Sequence, residues 1–278
     1  MGQLKLLCTD LDRTLLPNGD AAESPGVRTQ LAELLRQQGI QLAYVTGRDQ
    51  QLVRQAIAEY ALPAPDFVIA DVGSTLYRCH DDHWQAMPDW RKKIGQDWQF
   101  AEPARLLELM ADLDLRLQEP AKQGRYKLSF YTALDFPCSG LLVQIQQRFT
   151  TAGIKVHLIY SVDDAEGVGL LDVLPAAAGK RPAIEFLLES LNLHCDQMLF
   201  AGDSGNDLDV LCSPLPAVLV ANADAEVIAH AREQAAAQGT FDQLYVATGL
   251  VGNGCYAAGI LEGIFHYYPA QESRPCSR

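Results

Sequence analysis

Short apolar runs alternate with helical stretches along most of the chain, and this alternation limits the fold more than any other feature. Leu4–Thr9 is apolar enough for a buried parallel strand, and Asp10 follows it directly. Ser24-Pro25 reads as a helix start, with Val27, Leu31, Leu34 and Leu35 at helical spacing and Gly39 as the stop. Gln41–Val45 reads as a second strand, Gln50–Tyr60 as a helix and Phe67–Ala70 as a third strand, with Gly73–Tyr77 turning back as a hairpin. From Gly179 the alternation resumes. A helix carries Ile184, Leu187, Leu188 and Leu191, then strands at Met198–Ala201, Ala217–Val220 and Leu244–Val246 each precede a helix. Elements of these types in this order require a parallel sheet covered on both faces, so the expected fold class is α/β with a Rossmann-like, doubly wound core.

The stretch from Trp84 to Pro175 breaks that pattern. It holds Trp84, Trp90 and Trp98, strand patterns at Tyr126–Thr132, Lys155–Tyr160 and Gly169–Val173, and a helical pattern over Leu141–Ala152. Without a clean βα repeat it reads as a small α+β domain inserted into the first. The expected division is a discontinuous core of residues 1–84 and 176–278, an α+β cap of residues 85–175, and a polar, disordered tail over 271–278.

With 278 residues, 48% of them apolar, the chain buries a sizeable core without disulfides or metal clips. Twenty-two basic against 35 acidic residues leave a net charge of −13, which argues against nucleic acid or an anionic membrane as a partner. An anionic small molecule is still admitted, because a metal ion and a few placed cations override the global field locally. The seven cysteines are scattered, odd in number and free of any C-x-x-C pair, so neither a disulfide framework nor a thiolate zinc site is expected. The first apolar run meets Asp10 too soon for a signal peptide, and no stretch approaches the ~18–20 apolar residues that span a bilayer. The expected location is the cytoplasm.

Chemistry gathers at the strand ends, where open α/β sheets collect ligands. Asp10-Leu11-Asp12-Arg13-Thr14 follows the first strand, and Gly202-Asp203-Ser204-Gly205-Asn206-Asp207 follows the strand at Met198–Ala201. Either cluster alone is an ordinary loop or helix start; both at one sheet edge suit a hard divalent cation, most naturally Mg²⁺. Thr46-Gly47-Arg48 follows the second strand and offers a hydroxyl and a backbone N–H to a phosphate oxygen, although a helix cap would use the same residues. Lys180 opens a helix after Gly179, where ammonium and helix dipole both favour an anion.

In this order the four pieces resemble the haloacid dehalogenase superfamily of phosphohydrolases. Asp10-x-Asp12-x-Thr14 matches its first motif, Thr46 the second, Lys180 the third and Gly202-Asp203-x-x-x-Asp207 the fourth. The insertion between the second and third motifs is similar to that superfamily's C2-type cap. Within the superfamily the chain resembles the sucrose-6-phosphate phosphatase family through Tyr44–Arg48, Val72-Gly73-Ser74, Lys127–Tyr131, Gly202–Asp207 and Gly259–Glu262. The resemblance implies a Mg²⁺-dependent phosphatase with a sugar phosphate as substrate, sucrose 6-phosphate first among them, and a sugar-phosphate synthase as a candidate partner. It implies catalysis by Asp10, Asp12, Thr46 and Lys180, and metal binding by Asp10, Asp12, Asp203 and Asp207. Substrate contacts are expected from Thr46, Gly47, Arg48, Ser74, Lys127, Lys180 and Asn206. The physics of phosphate monoesters agrees: their slow hydrolysis calls for charge neutralisation and a placed nucleophile. Asp10 would attack phosphorus, and Asp12 would protonate the leaving oxygen and then activate water.

Other signals are weaker. His80-Asp81-Asp82-His83 has the composition of a metal cluster but lies in a polar turn, and Gly249-x-x-Gly252-x-Gly254 reads as a loop before the last helix. The three tryptophans are expected to pack within the cap core ahead of stacking on a sugar. Lys127 is a cation on a strand expected to face the core, an unusual choice unless it contacts substrate. Phosphatases for other glycosyl phosphates, such as mannosylfructose-phosphate or an osmolyte precursor, share these motifs. So does a phosphomannomutase-like phosphotransferase. An inactive, scaffolding domain has no need of Asp10, Asp12, Lys180 and Asp203 together.

Overall fold

The computed structural model describes residues 2–81, 83–134, 138–163 and 167–269. The tail at 271–278 therefore lies outside the described residues, as does Asp82 of the His80–His83 turn. The first part of the chain runs β1 (Leu6–Thr9), α1 (Val27–Gln38), β2 (Gln41–Val45), α2 (Gln50–Tyr60), β3 (Phe67–Ala70), β4 (Thr75–His80) and β5 (His83–Ala86). Then come α3 (Pro88–Gly95), α4 (Pro103–Glu108), β6 (Arg116–Leu117), β7 (Leu128–Thr132), α5 (Cys138–Thr151), β8 (Val156–Asp163) and β9 (Val168–Pro175). The last part is α6 (Lys180–Leu191), β10 (Met198–Gly202), α7 (Leu208–Leu211), β11 (Ala217–Leu219), α8 (Ala225–Gln238), β12 (Leu244–Val246) and α9 (Ala257–Tyr267).

The large sheet has the order β12-β11-β10-β1-β2-β3-β4-β5, parallel from β12 to β3 and closed at one edge by the antiparallel β4 and β5. Alternation along each strand sends side chains to opposite layers. Leu6 and Cys8 join Ile184, Leu187 and Val210 on one side, while Leu7 joins Leu31, Val53 and Ile260 on the other. The chain is thus α/β and doubly wound. Strand order reverses between β1 and β10, and a crevice opens at their carboxyl ends.

A second sheet, β6-β7-β9-β8, is antiparallel throughout. Trp98, Ile145 and Phe149 are buried in the same core cluster as Leu128, Phe130, Leu171 and Val173 of this sheet. Trp90 is buried too: its ring lies 5.2 Å from Phe186 and its indole N–H donates to Gly73 O at 3.1 Å. Trp90 thus packs on α6 and the turn after β3, not within the expected cap core, and Trp84 departs further still. It sits within β5, paired with Cys79 and beneath the Arg54 guanidinium at 4.3 Å, so the large sheet extends past residue 84 to Ala86. α1 also departs from expectation. Its cap is Gly26 at φ 77°, because the Ser24 hydroxyl is taken by Asn253 at 2.9 Å.

Candidate active site

β1 and β10 end side by side, and Asp10 N–H continues the ladder to Ala201 O at 2.9 Å. That pairing sets Asp10 next to Asp203, whose carboxylate receives the Thr14 hydroxyl at 2.9 Å. Lys180 reaches both clusters from the first turn of α6. Its buried Nζ donates to Asp10 Oδ1 at 2.9 Å, Asn206 Oδ1 at 2.8 Å and Asp207 Oδ1 at 2.6 Å. A close backbone approach brings α6 this near: a Cβ on Gly73, at φ 88°, would fall 2.2 Å from Gly179 O.

Asp207 works as a clamp on the loop after β10. Its Oδ2 accepts from the Asp203 and Ser204 N–H groups at 3.2 and 3.3 Å while its Oδ1 holds Lys180. Gly202 is required by that clamp, since a Cβ there would fall 2.7 Å from Asp207 Oδ2. Thr46 follows β2 directly, its hydroxyl oxygen accepting Arg48 N–H at 3.1 Å, which leaves the hydroxyl proton free to donate.

Asp10, Asp203 and Asp207 offer carboxylate oxygens within 4.8 Å of one another, all three residues buried. Among the described residues Lys180 is the one ammonium hydrogen-bonded to them, so the cluster is short of positive charge. Burial, with Asp207 and Asp203 nearby, pushes Asp10 up to about 8 against the pull of Lys180. Burial and Asp207 likewise push Asp203 up to about 6. Burial disfavours the Lys180 ammonium, but Asp10 and Asp207 outweigh it and hold the group charged. Asp203 Oδ2 is buried without a hydrogen-bond partner; the nearest cation is Arg13 Nε at 3.4 Å. An orphaned carboxylate oxygen beside two further carboxylates fits a hard divalent cation, because such an ion satisfies the lone pair and the charge deficit together.

Asp12 points away from this cluster. Arg48 clasps it with Nε to Oδ2 at 2.8 Å and Nη2 to Oδ1 at 2.6 Å, and Asn18 adds a bond at 2.8 Å. Burial opposes its charge, but the Arg48 fork and Asn18 prevail and hold the carboxyl below its usual range. The Arg48 guanidinium is therefore committed to Asp12.

Above the crevice lies a cavity of about 680 Å³ lined by Gly47 and Asn206 from the loops after β2 and β10, by Ser161 and Asp172 of the second sheet, and by Lys122 and Lys127 from the segment before β7. Lys127 is buried; its Nζ donates to Lys122 O at 3.3 Å and lies 3.8 Å from Asp172 Oδ1. Ser74 is elsewhere. Its hydroxyl donates to Asp71 O at 3.0 Å, and it lines a separate cavity with Asp49, Arg91 and Arg125. Sequence reasoning passed over Asp172 and assigned Arg13 no role. Asp172 carried a signal, a lone carboxylate inside the apolar run Leu170–Leu174; Arg13 carried none, because its partners Asn222 and Asp224 are remote in sequence.

The family model of sucrose-6F-phosphate phosphohydrolase matches residues 3–268. A putative HAD-like hydrolase of Nitrosococcus oceani is 50% identical over 97% of this chain and 73% of its own length. Sucrose-phosphatase 2 of Nicotiana tabacum is 30% identical over 80% of this chain, which spans about half (51%) of that protein. Among solved structures, the sucrose-phosphatase of Synechocystis in complex with sucrose and phosphate is similar with a TM-score of 0.73 at 27% identity, covering 96% of this chain and 98% of that one. The chain belongs to the sucrose-6F-phosphate phosphohydrolase family, within the haloacid dehalogenase superfamily of phosphatases.

Proposed function

We propose that the chain is a Mg²⁺-dependent sugar-phosphate phosphohydrolase that works through an aspartyl-phosphate and converts sucrose 6-phosphate to sucrose and phosphate. The observation that carries this reading is the contact of Lys180 with Asp10, Asn206 and Asp207 beneath a polar cavity shared by both sheets. Asp10 and Asp203 side chains and the Asp12 carbonyl would hold the metal ion, with Asp207 fixing the loop around it. Bound there, the ion supplies the positive charge that the carboxylates and an incoming phosphate lack.

Asp10 attacks phosphorus through a carboxylate oxygen as the bond from phosphorus to the sugar oxygen breaks. Lys180, the Thr46 hydroxyl and the Gly47 N–H hold the phosphoryl oxygens. Asp12 gives the leaving oxygen a proton and later takes one from the water that opens the aspartyl-phosphate. Its clasp by Arg48 and Asn18 favours the carboxylate, the form the second step needs; the first step requires the protonated form and hence a loosened clasp. Lys127 and Asp172 supply a cation and an acceptor suited to sugar hydroxyls. Among the described residues no helix is long and apolar enough to cross a membrane. The same reading has the enzyme take its substrate from a sugar-phosphate synthase in the cytoplasm.

Phosphate release against a panel of sugar phosphates tests the reading, with Mg²⁺ and after chelation. Sucrose 6-phosphate should rank first, above mannosylfructose-phosphate, glucosylglycerol-phosphate and glucose 6-phosphate. Turnover should cease on chelation and should need no bisphosphate activator. Equal rates on sucrose 6-phosphate and glucose 6-phosphate would overturn the substrate and spare the reaction.

A further inference from the structure

The second sheet ends in an open edge. β8 is its outermost strand and, among the described residues, pairs only with β9. An unpaired edge invites another strand, and folded proteins blunt such edges with charge, proline, a bulge or short length. β8 uses none of these devices along Val156–Val162, whose sequence Val-His-Leu-Ile-Tyr-Ser-Val lacks Lys, Arg, Asp, Glu and Pro. Its register with β9 is one-to-one over 8 positions. The opposite edge, β6, is only 2 residues long, and β12 in the large sheet only 3. Alongside β8, α5 leaves a groove lined by Leu142, Val143, Gln146, Val156 and Leu158. Val143 is 56% and Val162 45% exposed, although both flank an otherwise buried layer.

We propose that this edge is the interface of a two-fold symmetric dimer, in which β8 pairs antiparallel with β8 of a second copy and each α5 covers the other's groove. An isologous contact needs a strand that complements itself when reversed. Centred on Ile159, β8 does so: Leu158 falls opposite Tyr160, Val156 opposite Val162 and His157 opposite Ser161. Cross-strand pairs of these kinds are stabilising. The two sheets then merge into one. Ile159 and Ser161 also line the cavity above the crevice, so the pairing fixes the strand that presents them.

Sedimentation of the full chain over a wide concentration range tests the proposal, with a species at twice the chain mass of 30.5 kDa expected. Val143→Glu and Val162→Lys each put charge on the seam and should weaken self-association by about tenfold or more, with near-ultraviolet circular dichroism unchanged. Ile159→Cys, made with Cys138, Cys195 and Cys276 replaced by serine, should crosslink to itself through a short bismaleimide, and Leu117→Cys on the β6 edge in the same background should not. A monomer at every concentration overturns the proposal, including one that captures a different protein on this edge. A dimer indifferent to both charge variants, or one crosslinked through residue 117 and not 159, overturns it as well.

Discussion

Asp10 and Asp12 are two positions apart and sit in opposite surroundings. Asp10 is buried beside Lys180 and two carboxylates, while the Asp12 side chain is 43% exposed and clasped by Arg48 and Asn18. Opposite surroundings imply separable roles. Asp10→Asn should abolish turnover and phosphoryl labelling together, measured by phosphate release and intact mass, because an amide neither attacks phosphorus nor neutralises Lys180. Asp12→Asn should lose ~10²–10⁴-fold on a sugar phosphate and much less on nitrophenyl phosphate, whose leaving oxygen needs no proton. Arg48 separates two readings. As the holder of Asp12, Arg48→Ala should lower kcat on sugar phosphates and leave nitrophenyl phosphate nearly unchanged; as a phosphate ligand, it should raise KM for both. Asp10, Thr46, Lys180 and Asp203 were legible in sequence because each follows a strand or opens a helix at one edge of a parallel sheet. The Asp12–Arg48 clasp was not, since it depends on how far two loops lean toward each other.

At the scale of elements, the loop between β12 and α9 shows a buried charge used as a support. Glu262, 3% exposed, accepts the Tyr245 hydroxyl at 2.7 Å and the N–H groups of Thr248, Gly249 and Leu250 at 2.7, 3.0 and 2.9 Å. Burial opposes the carboxylate, but these donors outweigh it and depress the Glu262 pKa. A depressed value in the folded chain stabilises it above the ordinary glutamate pKa, and that contribution fades as pH falls through the folded value. Glu262→Gln should therefore cost about 2 kcal/mol near neutral pH, a fall of roughly 5 °C in Tm. The gap between the two proteins should narrow as pH falls beneath the ordinary glutamate range and through the lowered folded value, where the parent glutamate protonates too. A gap independent of pH would mean that shape, not charge, holds the loop. Most elements could be read from apolar runs and their stops, as with Gln41–Val45 and Phe67–Ala70. The start of α1 could not: Ser24 meets Asn253, 229 residues away, and a remote partner overrides local capping preference.

Across the whole molecule, the second sheet belongs to an insertion between β5 and α6, and it shares one polar cavity with the loops after β2 and β10. Such an insertion was legible as a break in the βα rhythm. Its orientation was not, because it follows from where Met87–Pro88 and Pro175–Gly179 leave and re-enter the large sheet. That orientation divides the labour: the large sheet supplies the carboxylates and Lys180, the second sheet the Lys127–Asp172 pair. On the proposed reading a small aryl phosphate needs only the first set, whereas a disaccharide phosphate would fill both. Lys127→Met keeps the apolar stem packed and removes the charge, so folding should survive, as a near-parental Tm would show. The lost charged contact is worth about 1.5–3 kcal/mol, so kcat/KM for the preferred sugar phosphate should fall by ~10–100-fold. On nitrophenyl phosphate the same variant should stay within about twofold, since no free energy of that size is at stake there. Equal losses on both substrates would remove Lys127 from sugar recognition and assign it to holding the cap together through Lys122 and Asp172.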